Sequence, residues 1–380
     1  MHQTHRNRKP ERDGNPGTED AVRHLDSRGQ IILTAIINEH FVTGEPVGSK
    51  VLAERFARQS GMSSATIRNV MGELEELGLV EQPHTSAGRV PTDTGYRFYV
   101  DNLLGVLSIS NDDLHRIGEE FGLNALDTGD TPDRLLERTS HLLSALSNNV
   151  GIVVSPSLAS DRLQHIEFVN LSDNRVLVVL VSPPNIVHNK IIRTGVAFAR
   201  EELERTANYL NAEFAGKSLA EIRAEIMRLM HEEKALFDNL LQTAVILCSE
   251  TIEDDAAGEV FVDGTSNILS KSDFADLERL RELLHTIGER SRLMQILNEC
   301  IERDSAAKGD VQIVIGTENR NTSMQHCSLV SAPYRIGNGS AVGTLTVLGP
   351  TRIEYGRMIS IVSYVARTLE HMMSTPPSRN

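Results

Sequence analysis

Residues 63–92 read SSATIRNVMGELEELGLVEQPHTSAGRVPT, and this stretch decides the fold. On a helical wheel Ile67, Val70, Met71, Leu74 and Leu77 share one face, so residues 64–77 form an amphipathic helix with that stripe inward. Ser63 stands where a side chain caps the helix start, and Gly78 where a left-handed residue ends it. Residues 79–82 and 89–90 are two short extended runs joined by a Gly-bearing tip, the pattern of a β-hairpin. Thr92 then caps a further helix with Tyr96, Tyr99, Val100 and Leu103 on one side. Upstream, Ile31, Ile32, Ala35 and Ile36 recur at helical spacing until Thr43-Gly44-Glu45-Pro46 breaks the chain. Ser49 opens a short helix carrying Leu52, Ala53 and Phe56. Three helices followed by a hairpin outline a winged helix-turn-helix over residues 25–104.

The outward face of residues 64–77 carries the chemistry. It presents Ala65, Arg68, Asn69, Gly72 and Glu76, with hydroxyls from Ser63, Ser64 and Thr66 beside its first turns. Arg pairs bidentately with guanine and Asn with adenine in the major groove, while Ala or a Thr methyl meets a thymine methyl. Free N–H groups at the helix start favour phosphate, and Glu73, Glu75 and Glu76 all lie at the other end. Arg68 and Asn69 are therefore the candidates for base edges. Ser49, Lys50, Ser63, Ser64 and Thr66 are the candidates for phosphate. A plain three-helix unit with a solvated polar face also fits the helix alone. The hairpin tip separates the two readings: His84, Thr85, Ser86, Ala87, Gly88 and Arg89 are small, polar or cationic, without a carboxylate, in an otherwise acidic chain. From this wing Arg89 and His84 reach backbone or minor groove, and Tyr96 and Arg97 add phosphate contacts from the next helix.

Charge is distributed to match. The 380 residues carry a net charge of −14, yet residues 1–100 hold 12 Lys+Arg against 13 Asp+Glu, and the other 280 hold 26 against 39. The excess acid thus sits outside the winged helix, where it discourages indiscriminate phosphate binding. Hydrophobic residues at 40% and charged residues at 24% suit a folded chain of two or three domains and exclude a fibrous or wholly disordered one. No apolar run is long enough to span a bilayer and no secretory signal is visible. With Cys248, Cys300 and Cys327 far apart and no CxxC pair, the expectation is a cytoplasmic protein with reduced thiols.

Residues 1–24 are polar and aperiodic, and read as a flexible tail. Helical patterns fill 105–149 as a linker, with Leu135, Leu136, Leu142, Leu143 and Leu146 as one stripe. From Val150 to residue 380 an α+β domain is expected, with strand-like runs at 150–154, 166–171, 176–181, 186–192, 260–262, 311–315, 328–331 and 342–348. Helical patterns interrupt it, and an insertion is expected over 196–265. Its stripes are Leu203, Ala207, Leu210 and Phe214, then Ile222, Ile226 and Leu229, then Leu236, Leu240, Ala244 and Leu247. So small a helical block buries little surface alone. Leu203, Leu210, Ile222, Ile226, Leu229, Leu236, Leu240 and Leu247 are therefore read as a homodimer face rather than pure core. A two-fold dimer also sets two recognition helices on a palindrome.

Several motifs now converge. Thr43-Gly-Glu-Pro-Val-Gly-Ser49, Ser64-Ala-Thr-Ile-Arg-Asn69 and Leu74-Glu-Glu-Leu-Gly78 are joined by Glu81-Gln-Pro-His-Thr-Ser-Ala-Gly-Arg-Val-Pro-Thr92 and Gly95-Tyr-Arg-Phe-Tyr-Val-Asp101. Further on stand Val260-Phe-Val-Asp-Gly-Thr-Ser-Asn267 and Gly349-Pro-Thr-Arg-Ile-Glu-Tyr355. In these the chain resembles the heat-inducible transcription repressor family HrcA over essentially everything after the tail. The resemblance implies an α+β multidomain fold: a winged helix, a GAF-like domain and an inserted dimerising domain. It also implies a homodimer on the inverted-repeat operator called CIRCE, upstream of chaperone operons, and a chaperonin that helps the repressor reach its active fold. Ser64 stands where the family commonly has Pro, and Val70 where Asp is common.

Other chemistries find no support. Gly337-Asn-Gly-Ser-Ala-Val-Gly343 has Val342 where a dinucleotide loop needs Gly and leads into a strand, so a hairpin turn is expected. No HExxH, GxSxG or nucleophile–base set occurs, so no metal, cofactor or catalytic residue is assigned. A ligand-sensing regulator, with the α+β domain binding a metabolite, is the alternative; an enzyme is a distant third.

Overall fold

The computed structural model describes residues 25–56, 62–85, 87–105, 107–122, 131–156, 162–171, 173–183, 186–231, 239–253, 258–301, 311–336 and 341–374. The 1–24 tail, Ser86 and the tip at 337–340 lie outside them. The chain divides into two compact units after Val106.

In the first unit, α1 (Ser27–Thr43) is capped by Asp26, whose carboxylate accepts from Gly29 N at 2.7 Å. The helix buries Ile32, Leu33, Ile36 and Ile37. Against them pack α2 (Ser49–Phe56), through Leu52, and α3 (Ser64–Glu76), through Ile67, Val70, Met71 and Leu74. Leu77, expected on the same stripe, is half-buried. Gly78 ends α3 at φ +71, with Gly78 N donating to Glu75 O and Leu79 N to Leu74 O, the paired bonds that a left-handed residue makes possible. The hairpin follows as β1 (Val80–Glu81) and β2 (Val90–Pro91), antiparallel with Val80 opposite Pro91. Thr92 caps α4 (Asp93–Phe98) and also donates to Gly78 O at 2.6 Å, fixing the exit from the hairpin to the end of α3. A π-helical turn, Tyr99–Leu103, completes the unit.

The second unit holds α5 (Asn111–Glu120), α6 (Pro132–Ser147) and two separate sheets. The larger sheet is antiparallel and runs β7 (Val260–Asp263), β3 (Val150–Val154), β10 (Ala341–Pro350), β9 (Cys327–Ile336), β8 (Gln312–Ile315). Counted along its own strands this is the order 2-1-5-4-3, an arrangement of GAF-like domains. Val150, Ile152 and Val154 face a core closed by α11 (Leu277–Gly288) and α12 (Arg290–Ile301), with the short α10 (Thr265–Leu269) at its edge. The other face carries α6 and α13 (Tyr355–Ser374), where Ser328 Oγ and Tyr355 OH share a hydrogen bond of 2.7 Å. Strands β9 and β10 pair antiparallel from Ile336 and Ala341 onward, so residues 341–343 of the expected turn are strand, and the rest of it lies outside the described residues.

The smaller sheet, β4 (His165–Asn170), β5 (Arg175–Ser182) and β6 (Ile186–Arg193), shares one core with α7 (Arg200–Glu213), α8 (Leu219–His231) and α9 (Asn239–Glu253). Three expectations change here. The insertion runs from about 162 to 253 instead of 196–265, because β4–β6 pack on its helices while β7 hydrogen-bonds to β3. Residues 105–149 are no free linker: α5 and α6 pack into this unit, and buried Asp113 accepts from the Arg357 guanidinium at 2.9 and 3.2 Å. Finally, Leu203, Leu210, Ile222, Ile226 and Leu247 do not await a partner. They are buried against β4–β6, which supplies the surface that helices alone lacked. Leu229 is half-buried, and Leu236 and the Leu240 side chain lie outside the described residues.

What stays open is the far face of the small sheet. Val169, Leu177, Val179, Val181, Val187 and Ile191 alternate away from the core, with exposed His165, Glu167 and Asn189 in the same register, and Val187 and Ile191 are each 54% exposed. Among the described residues no helix is long and apolar enough to cross a membrane.

Candidate nucleic-acid interface

Two helix starts meet at one place. Ser49 opens α2 and Ser64 opens α3, and their hydroxyl oxygens lie 3.3 Å apart. Ser63 caps α3 by accepting from Thr66 N at 3.2 Å, and the Ser63 and Thr66 hydroxyls are 3.0 Å apart. Lys50 is exposed beside them. Four hydroxyls, a cation and the partial positive charge of two helix starts thus gather where a phosphate fits.

Ala65, Arg68 and Asn69 are exposed on the first turns of α3, directly behind the buried Ile67–Val70–Met71–Leu74 stripe that fixes their direction. Arg68 makes no ion pair among the described residues, so its guanidinium is uncommitted. Val70 is buried, which explains why an apolar residue there leaves the outward face unchanged.

The wing is closed by a residue that sequence reasoning passed over. Gln82 Nε2 donates to Thr85 O at 3.0 Å and Ala87 O at 2.9 Å, and Ala87 N donates to His84 O at 2.8 Å. These bonds leave His84 and Thr85 exposed at the tip; Gly88 is half-buried at its base. The signal was an amide two residues before the first tip residue, able to satisfy two turn carbonyls.

Three expected contacts are corrected. Tyr96 is 2% exposed: it stacks on Phe41 and its hydroxyl shares a 2.8 Å hydrogen bond with His40 Nδ1, so it is core. Arg97 is half-buried and paired with Asp101 at 3.4 Å. Arg89 does not extend from the wing, since its guanidinium lies 2.8 Å from the Glu75 carboxylate on α3. The outward stripe of α3 and the aromatic spacing of α4 are alike in sequence, and only the packing of α4 onto α1 tells them apart.

The exposed start of α3 thus lies in one unit with a hairpin whose tip Gln82 holds. Residues 24–102 match the model of the winged helix-turn-helix transcription repressor, HrcA DNA-binding domain, and residues 133–359 that of the HrcA protein C-terminal domain. The chain belongs to the HrcA family. A heat-inducible transcription repressor HrcA from Geobacter sulfurreducens is 39% identical over 349 residues, covering 92% of this chain and 98% of that protein. One from Xanthomonas axonopodis pv. citri is 40% identical, covering 93% and 98%. A crystal structure of a hypothetical protein, 22% identical, superposes with a TM-score of 0.56 over 92% of this chain and 99% of that one, and shares its fold. HrcA membership makes the chain a DNA-binding transcription repressor, with its DNA-binding domain over residues 24–102.

Proposed function

We propose that this HrcA-family chain represses chaperone operons in the cytoplasm by occupying an inverted-repeat operator, CIRCE, as a homodimer. The observation that carries this reading is the exposure of Arg68 and Asn69 on the amino-terminal turns of α3, above a phosphate seat formed with α2. Self-association is supported by the open apolar face of β4–β6 rather than by the helical leucines, which are spent inside the monomer. Chaperonin dependence is supported by topology. Strands β3 and β7 are sheet neighbours, yet the whole insertion must be threaded between them, and such non-local pairing slows folding and exposes apolar surface meanwhile.

One experiment tests the combination. The chain is refolded from denaturant with and without chaperonin and footprinted on DNA upstream of chaperone operons. Two-fold symmetric protection, in higher yield with chaperonin, is expected. Absence of protection, or asymmetric protection from a monomer, overturns the operator reading, and equal yields overturn the chaperonin part.

A ligand-gated regulator is the second reading, favoured by a polar cleft between α6 and the edge strand β7. Arg134, Arg138, His141 and Asp263 line it, with His141 Nδ1 2.7 Å from the Asp263 carboxylate. A metabolite that raises the melting temperature and alters operator affinity would bring that reading forward.

A further inference from the structure

We infer that Arg89 and Glu75 form a clamp that positions the wing against the recognition helix, and that Arg89 acts on DNA affinity without touching DNA. The inference rests on the DNA-binding reading above and assigns a different role to one of its residues. Three elements meet at Arg89. Its backbone pairs with Val47, in the turn before α2: Val47 N donates to Arg89 O and Arg89 N to Val47 O, both at 2.9 Å. Its guanidinium binds Glu75 on α3 at 2.8 Å. Beside it, Gly88 lies so close to the turn that an added Cβ would stand 2.3 Å from the Val47 carbonyl, so the wing base is pressed onto the α2 turn by backbone.

The guanidinium is not available to phosphate. The Arg89 side chain is 19% exposed, its Nε is buried without a hydrogen bond, and Glu75 is its ion-pair partner among the described residues. Glu75 is one of three carboxylates in the last turns of α3, beside Glu73 and Glu76, and a bare negative charge that faces a duplex repels it. Neutralising it should therefore tighten binding if it only faces DNA, and weaken binding if it holds the wing. The opposed signs make the inference testable.

The probe is the duplex that the unmodified full chain selects from a random-sequence pool, titrated at several salt concentrations with Glu75→Gln, Arg89→Met and the double variant. Amide exchange of residues 80–91 is followed in the same proteins without DNA. The clamp predicts about tenfold weaker binding for each single variant. It also predicts an unchanged salt slope, a double variant no weaker than the worse single, and faster wing exchange in all three with α1 and α3 still protected. A salt slope lowered by about 0.9 in Arg89→Met identifies a phosphate contact and overturns the inference. Tighter or equal binding by Glu75→Gln does so as well. If the unmodified chain selects no duplex, the DNA-binding reading fails. The exchange data then decide the clamp alone: unaltered wing exchange in Glu75→Gln overturns it and accelerated exchange supports it.

Discussion

Tyr96 lies on the apolar stripe of α4 and Arg68 beside that of α3, and the packing of each decides what a substitution does. Tyr96 stacks on Phe41 and bonds His40, so Tyr96→Phe keeps the ring and removes the hydrogen bond to His40. A loss of about 1 kcal/mol in winged-helix stability is expected in urea unfolding, with no change in the salt slope of DNA binding. A lowered slope would return Tyr96 to the interface. Arg68 was legible in the sequence because Ile67, Val70, Met71 and Leu74 leave one direction for it to point. Tyr96, Arg97 and Arg89 were not, because local pattern distinguishes exposed from buried faces but not which cation finds a carboxylate across the fold. Asp101 and Glu75 take two of the three, and His40 takes the phenol.

Between elements, a bidentate ion pair in the second unit joins α5 to α13. Asp113 is 1% exposed, also accepts from Ser110 at 2.8 Å, and receives both Arg357 bonds. The Arg357 guanidinium holds the Asp113 carboxyl below its ordinary pKa, against the opposing pull of burial. A depressed carboxylate stabilises the fold fully above the unfolded-state pKa, and that contribution is lost as pH falls through the folded value. Asp113→Asn should therefore cost about 1–3 kcal/mol near neutral pH, and the gap to the unmodified chain should narrow on acidification. A gap independent of pH would assign the loss to packing. The elements themselves were read well where periodicity was strong: α3, the hairpin and the strands of both sheets lie where apolar spacing put them. Which strands share a sheet was not readable, since β4–β6 and β7 are all short runs rich in β-branched residues and pairing between distant strands leaves no local mark.

Whole-molecule organisation follows from that pairing. The small sheet covers its helices on one face and leaves Val169, Val187 and Ile191 exposed on the other, so that face, not the leucines, supports the proposed self-association. Ile191 is 54% exposed there, opposite Leu177 on β5. If the proposed dimer uses this face, Ile191→Glu should shift the chain from dimer to monomer in sedimentation while its circular dichroism stays that of the folded chain. A dimer that survives places the contact elsewhere. Reading the dimer into the helices was a consequence of counting the insertion from residue 196, which removed the sheet that buries them. Operator recognition as proposed requires the amino-terminal turns of α3 to enter a major groove in two copies. Selection and sequencing of bound DNA with Arg68→Ala beside the unmodified chain tests that most directly. An inverted repeat is predicted for both, with about 1–3 kcal/mol weaker binding and relaxed base choice at one symmetric pair of positions for the variant. The same motif bound with the same affinity by both chains would contradict it.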